Sequence, residues 1–294
     1  MEIRKLRRTM LFCPATNPTM YIDAQMYKPD CILFDLEDAV RYDEKDAARD
    51  LLAEAIKTLN FGNIEVFARI NPLYTEFGAE DVKVLVPAGL RRMRLPMCEK
   101  VEQVIELDKL LTEVEREHGI EEGSCQIQCS LETPLGVWNA LEIATASPRV
   151  TTISFGAEDY TRLLGVDRTK DASELQFARQ KIANAASIAK VDAIDTVWAD
   201  FKDIDGFVNE VKYARQIGFA GKSCIHPSQV GQVHDVFTPN LEDVEKSLVI
   251  IEAAEKAGIE KGGVVQVNGK MVDIPVIEKA RRIVGLAKAA GLIK

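Results

Sequence analysis

The stretch CQIQCSLETPLGVWNALEIATASPRVTTISFGAED, residues 125–159, decides the fold. It opens and closes on short, nearly continuous apolar runs, 125–133 and 151–159. Such runs suit strands that are buried on both faces of a parallel sheet. Each ends in a carboxylate, Glu132 in the first and Asp159 in the second, one βα unit further on.

On either side the same unit recurs. Comparable runs lie at 9–15, 31–37, 64–71, 93–97, 193–200 and 221–227, which makes eight. Between them, segments at 43–59, 101–117, 173–190 and 204–217 carry apolar residues at helical spacing, as Ala47, Leu51, Leu52, Ala55, Ile56 and Leu59 do in the first. Gly119 and Gly218 stop two of these segments. The alternation predicts an α/β fold, a closed (β/α)8 TIM barrel over residues 1–236. An open doubly wound sheet is the alternative, but no G-x-G-x-x-G follows the first strand. Residues 237–294 read as a C-terminal helical and hairpin extension. A helix spans 241–257, a hairpin turns at Asn268-Gly269 within 262–271, and a last helix spans 277–290. A barrel closes without this extension, so it is either an oligomer clamp or an active-site cover.

The 294 residues, 47% hydrophobic and 28% charged, are ordinary for a globular enzyme. No stretch approaches the roughly 20 apolar residues that span a bilayer. The basic start, without an apolar h-region, is not expected to direct export. The six cysteines form no C-x-x-C pair and are expected to be reduced, buried thiols of a cytoplasmic protein. With three histidines, a His-rich metal site is not expected. The net charge of −9 argues against a nucleic-acid partner. Two basic clusters, Arg4, Lys5, Arg7 and Arg8, and Arg91, Arg92 and Arg94, are either solvated surface charge or landing sites for phosphate.

Barrel enzymes carry their chemistry at the C-terminal ends of the strands. Glu132 and Asp159 would stand there at matching heights on adjacent strands, roughly 5 Å apart. Two carboxylates that close need a proton or a cation between them, and oxygen ligands without histidine suit Mg2+ or Mn2+. Each also suits the role of capping the helix that follows. Glu37 and Asp38 either support the metal through bound water or cap the next helix. Arg69 either pairs with Glu37 or Glu132, or binds a substrate carboxylate or an oxyanion. No G-x-S-x-G nucleophile elbow is present. Lys222, a conceivable Schiff-base lysine, begins its strand and so belongs at the wrong end of the barrel.

Seven segments together carry a family resemblance: RTMLFCPA (8–15), FDLEDAV (34–40), ARIN (68–71), LETPLG (131–136), FGAEDY (155–160), GKSCIHP (221–227) and NGKMVD (268–273). In this order, over nearly the whole chain, they resemble the metal-dependent CoA-ester lyases and HpcH/HpaI aldolases, and within that family most resemble the citrate lyase β subunits. The resemblance implies a (β/α)8 barrel, Mg2+, and a homotrimer or hexamer. It makes Glu132 and Asp159 the metal ligands and Arg69 the catalytic, substrate-binding arginine. Asp273 becomes an acid or base that an extension places over a neighbouring subunit's barrel mouth. One departure is Met97, where many relatives have lysine, which leaves Arg94 as a possible substitute.

The activity implied is cleavage of a citryl thioester, on CoA or on a CoA-like prosthetic group of an acyl carrier subunit, to oxaloacetate and an acetyl thioester. An acyl carrier and an acyl transferase subunit would then be partners. Arg7, Arg8, Pro14 and Asn17 are candidates for holding the carrier's phosphates. A lyase or thioesterase for malyl-CoA or citramalyl-CoA is the alternative. A non-catalytic subunit of an acyl-carrier complex is a minor one.

Overall fold

The structure, a computed structural model, describes residues 5–259 and 263–293. Arg4 of the first basic cluster and Gly262 of the expected hairpin lie outside them. The chain forms two compact units: Arg7–His234, and Asp235–Lys294 with the residues up to Leu6.

The first unit is the expected barrel. Strands β1 (Thr9–Pro14), β2 (Cys31–Asp35), β3 (Glu65–Arg69), β4 (Arg92–Leu95), β5 (Gln126–Leu131), β6 (Val150–Phe155), β7 (Asp192–Asp195) and β8 (Gly221–Cys224) close in sequence order. Every neighbouring pair is parallel, including β1 with β8. The connections carry α1 (Pro18–Met26), α2 (Lys45–Thr58), α3 (Gly78–Ala88), α4 (Val101–Glu117), α5 (Pro134–Trp138), α6 (Ala140–Ala144), α7 (Ala157–Leu164), α8 (Gln176–Ala189) and α9 (Ile204–Gln216), and α10 (Ser228–Phe237) follows β8.

The expected strands overran their C-terminal ends. The sixth stops at Phe155 rather than 159, the seventh at Asp195 rather than 200, and the eighth at Cys224 rather than 227. The last ladder bond from Gly156 N to Leu131 O marks where the chain leaves the sheet. Gly156 then becomes the N-cap of α7. Apolar character continues past that point because the following helix also packs inward, and periodicity alone does not separate the two.

The barrel interior is layered. At the N-terminal ends of the strands, Arg7 bonds Glu65 at 2.6 Å and Asp192 at 3.2 Å, and Arg92 reaches Glu65 at 2.9 Å. These buried charges plug the base. Above them, Met10, Cys31, Leu33, Phe67 and Ile194 pack with Phe12 into an apolar layer. Side chains two residues further along the same strands, Asp35 and Arg69, stand above that layer. Outside the sheet, Lys222 bonds Asp195 at 2.8 Å, and Arg179 of α8 bonds Asp195 at 2.9 Å and Glu210 of α9 at 2.9 Å. Lys222 therefore serves packing between sheet and helices, where buried charges need full pairing.

The second unit holds α11 (Leu241–Ala257), the hairpin β9 (Val265–Val267) and β10 (Lys270–Val272), and α12 (Ile274–Ala289). Asn268 and Gly269 turn the hairpin with φ of 49° and 77°, the pattern of a two-residue type I′ turn. Val272 and Ile277 pack with Ala254 and Ile259. All six cysteines are free and buried. Among the described residues no helix is long and apolar enough to cross a membrane.

Candidate active site

The C-terminal ends of β2 and β3 bring Asp35 level with Arg69. Arg69 donates from Nε to Asp35 Oδ1 at 2.7 Å and from Nη2 to Oδ2 at 2.6 Å. Its remaining nitrogen, Nη1, meets Glu37 at 2.8 Å and Asp38 at 3.1 Å. Asp35 also accepts from the backbone N–H groups of Glu37 and Ala39. Burial works against its charge, but Arg69 and those amides outweigh it and hold the carboxyl below its ordinary value. Glu37 goes the other way. Burial pushes it up to about 8, and the carboxylates of Asp38, Glu132 and Asp35 add to the push against Arg69. One arginine shared among several acids cannot keep all of them ionised.

Glu132 follows the last residue of β5 and is 4% exposed. Its Oε1 accepts from the backbone N–H of Met97 at 3.0 Å. Met97 takes a positive φ of 48° there, a conformation uncommon for a side chain of its kind. Among the described residues no Lys or Arg forms an ion pair with Glu132. A nearly buried carboxylate with one backbone donor has strong reason to take up a cation. Gly156 makes room for it: a Cβ at that position would stand 2.7 Å from Glu132 Oε2.

Asp159 lies in the first turn of α7, three residues beyond the position level with Glu132. The matching heights expected from the spacing are therefore corrected, because the strand ends at Phe155 and the chain has already turned. Asp159 pairs with Arg162 of the same helix at 2.7 Å and remains partly exposed. Two carboxylates and no histidine match the oxygen ligands of a hard divalent ion, and such ions keep several positions for water and substrate. Among the described residues no group of three or more His, Cys, Asp and Glu side chains forms a metal cage. The donor set thus fits Mg2+ only as a cation shared with substrate.

Pro14 ends β1 level with Asp35. Asn17 caps α1 through Oδ1, which accepts from Thr19 N at 3.2 Å. Arg8 does not reach this end. It precedes β1 and bonds Asp30 from Nε and Nη2, both at 2.8 Å. The expectation that Arg8 and Arg7 meet phosphates at the mouth is corrected, because both lie at the opposite rim and are held by carboxylates. Asp273 belongs to the second unit, where its side chain caps α12 by accepting from Val276 N.

Sequence reasoning passed over Asp35 as a site residue, and also Gly156 and the Met97 amide. Parity along β2 carried a signal for Asp35, since it shares a face with Leu33 and pairs by register with the residue opposite. Nothing local marks Gly156 or Met97, whose roles depend on a different strand.

Residues 8–227 match the model of the HpcH/HpaI aldolase/citrate lyase family. The chain belongs to that family. It is 44% identical to the citrate lyase subunit beta of Haemophilus influenzae, over 97% of this chain and 98% of that protein. It is 33% identical to the (3S)-malyl-CoA thioesterase of Cereibacter sphaeroides, over 96% and 95% of the two chains. Among solved structures, the protein CitE of Mycobacterium tuberculosis in complex with magnesium, acetoacetate and coenzyme A aligns with a TM-score of 0.77. That alignment has 29% identity and covers 97% of this chain and 98% of that one. Identity of 39–44% to citrate lyase β subunits over nearly the full chain supports a lyase.

Proposed function

We propose that the chain cleaves the carbon–carbon bond of a citryl thioester, on CoA or on an acyl carrier protein, into oxaloacetate and an acetyl thioester. The observation that carries this reading is Glu132, a nearly buried carboxylate that forms no ion pair with a Lys or Arg among the described residues. It stands at the same end of the barrel as an arginine clamped by Asp35. Close identity to a citrate lyase β subunit supplies the substrate class.

In this reaction the tertiary hydroxyl loses its proton and becomes a ketone. The electrons of the breaking bond pass to the acetyl carbon, which gains a proton. Glu132 and Asp159 would hold Mg2+, with Mn2+ as a substitute, and the ion would lower the pKa of the hydroxyl and bind the oxo-acid half. Arg69 neutralises charge on substrate oxygen, a contribution of about 3–4 kcal/mol for such groups. Asp35 fixes the plane of that guanidinium. Glu37 and Asp38 complete its surroundings and would hold water if the metal were bound. Asp273, on the extension of a neighbouring subunit in a homotrimer or hexamer, transfers one of the two protons. Pro14 and Asn17 contact the thioester arm. An acyl carrier and an acyl transferase subunit present the substrate.

Identity to a (3S)-malyl-CoA thioesterase favours one second reading, the same site acting on malyl-CoA or citramalyl-CoA. The test is release of oxaloacetate from citryl-CoA, with and without Mg2+, by the wild type and by Asp159→Ala. Metal-dependent release that the substitution abolishes supports the proposal. Turnover of (3S)-malyl-CoA with none of citryl-CoA moves the reading to the alternative.

A further inference from the structure

Beside the clamp, on the next strand, stands a second arginine that the proposed reaction leaves unused. Arg94, on β4, is level with Arg69 on β3. Both guanidiniums lie over the ring of Phe12, Arg69 at 5.5 Å and Arg94 at 5.2 Å from its centroid. Arg69 spends its charge on Asp35, Glu37 and Asp38. Among the described residues Arg94 meets no carboxylate in an ion pair. Its Nε and Nη2 both donate to the hydroxyl of Ser130, at 3.2 and 2.9 Å, and its Nη1 is buried without a partner. Gln128, the residue level with it on β5, is neutral and cannot balance it.

Burial pulls Arg94 down to about 10, with Glu132 acting against that pull, so it remains a cation at neutral pH. A buried, unpaired guanidinium is costly, since charges withdrawn from water need an opposite charge nearby. In the low-dielectric interior of the barrel its field is weakly screened and points at whatever anion the mouth receives.

We infer that Arg94 is the specificity-determining cation of the site: it supplies the positive charge that seats a carboxylate-bearing oxo-acid, while Arg69, held by Asp35 and its neighbours, acts on the charge that develops on the reacting oxygen. The inference rests on the function proposed above and adds the source of selectivity for anionic acyl groups.

The inference requires effects of opposite sign on two ligands, which a merely structural arginine would not produce. Removing the charge weakens the binding of an anion. It does not weaken, and can strengthen, the binding of a cation at Glu132 close by. The experiment is calorimetric titration of the full chain with Mg2+ alone, then with oxaloacetate at saturating Mg2+. Arg94→Met and Arg94→Lys are compared with wild type after their folds are checked by circular dichroism. Arg94→Met is expected to bind oxaloacetate roughly ten- to a hundredfold more weakly and Mg2+ at least as tightly as wild type. Arg94→Lys, which keeps the charge, retains most of the oxaloacetate affinity. Unchanged oxaloacetate affinity in folded Arg94→Met, or parallel loss of both ligands, overturns the inference. Should Arg94→Met not fold, loss of oxaloacetate binding by Arg94→Lys overturns it equally. A wild type that binds neither Mg2+ nor oxaloacetate overturns the proposed function, and the inference falls with it.

Discussion

Arg69 and Asp35 form a two-point ion pair across β2 and β3, Nε to Oδ1 at 2.7 Å and Nη2 to Oδ2 at 2.6 Å. Two parallel bonds fix the plane of a guanidinium in a way one bond does not. Replacing Asp35 by Asn keeps the shape and removes the charge, so Arg69 swings toward Glu37 and Asp38. Asp35→Asn is expected to lower kcat/KM for citryl-CoA about 10–100-fold, the usual cost of losing an orienting partner. Steady-state kinetics check this, and wild-type rates would mean that Arg69 needs no such orientation.

Gly156 faces Glu132 at a distance that leaves no space for a side chain. Its φ of −108° is open to any residue, so the requirement for glycine is purely one of clearance. In Gly156→Ala the new methyl carbon stands 2.7 Å from Glu132 Oε2 and displaces that carboxylate. The expected outcome is a folded barrel whose Mg2+ affinity falls about tenfold or more. Titration with Mg2+, alongside thermal unfolding, separates this from general destabilisation.

Glu132 is expected to make stability depend on the metal. A ligand at a hundredfold excess over its Kd adds about 2.7 kcal/mol to the folded state, so the wild type should melt at a higher temperature in Mg2+. Glu132→Gln should lose that increment. Without metal the variant should be less stable than the wild type, because the charge of Glu132 acts favourably on the buried guanidiniums of Arg69 and Arg94. Differential scanning calorimetry with and without Mg2+ reads both effects. A metal increment that survives in Glu132→Gln would place the ion elsewhere.

Glu115 provides a pH test remote from the site. It accepts from Arg149 at 2.6 and 2.9 Å and from the amides of Cys125 at 2.7 Å and Gly123 at 2.8 Å. Burial opposes its ionisation, yet these donors outweigh burial and hold it at about 2, against an ordinary value of 4.5. A folded value below the unfolded one gives stability that is full above 4.5 and disappears as pH falls toward 2. Glu115→Gln should therefore cost about 3 kcal/mol at pH 7 and much less at pH 3. Urea unfolding at the two pH values checks this, and an equal cost at both would refute it.

The barrel was legible because its signal is local and repeated. The runs that became β2 and β3 are apolar on both faces, and segments such as 101–117 carry a clear helical period. The hairpin at Asn268-Gly269 was legible for a similar reason, since its turn depends on two residues with positive φ. The candidate residues Arg69, Glu132 and Asp159 could be named from the sequence because polar groups that end buried strands have few other reasons to be there.

Other features depend on register and strand length, which no segment determines alone. The sequence spacing of Glu132 and Asp159 suggested equal heights, but β6 ends at Phe155 and its partner at that level is Gly156. The basic residues Arg7 and Arg8 looked like phosphate ligands until closure of the barrel set them beside Glu65, Asp192 and Asp30 at the opposite rim. Asp35 became the partner of Arg69, and Arg94 was left without a carboxylate, through pairings between neighbouring strands. By itself the sequence determined which segments are strands and helices and which chemical groups stand near strand ends, because these follow from periodicity and residue type. Only the tertiary structure decided which charges neutralise one another, because ion pairing in a barrel is a property of register, and register is settled when the eight strands close.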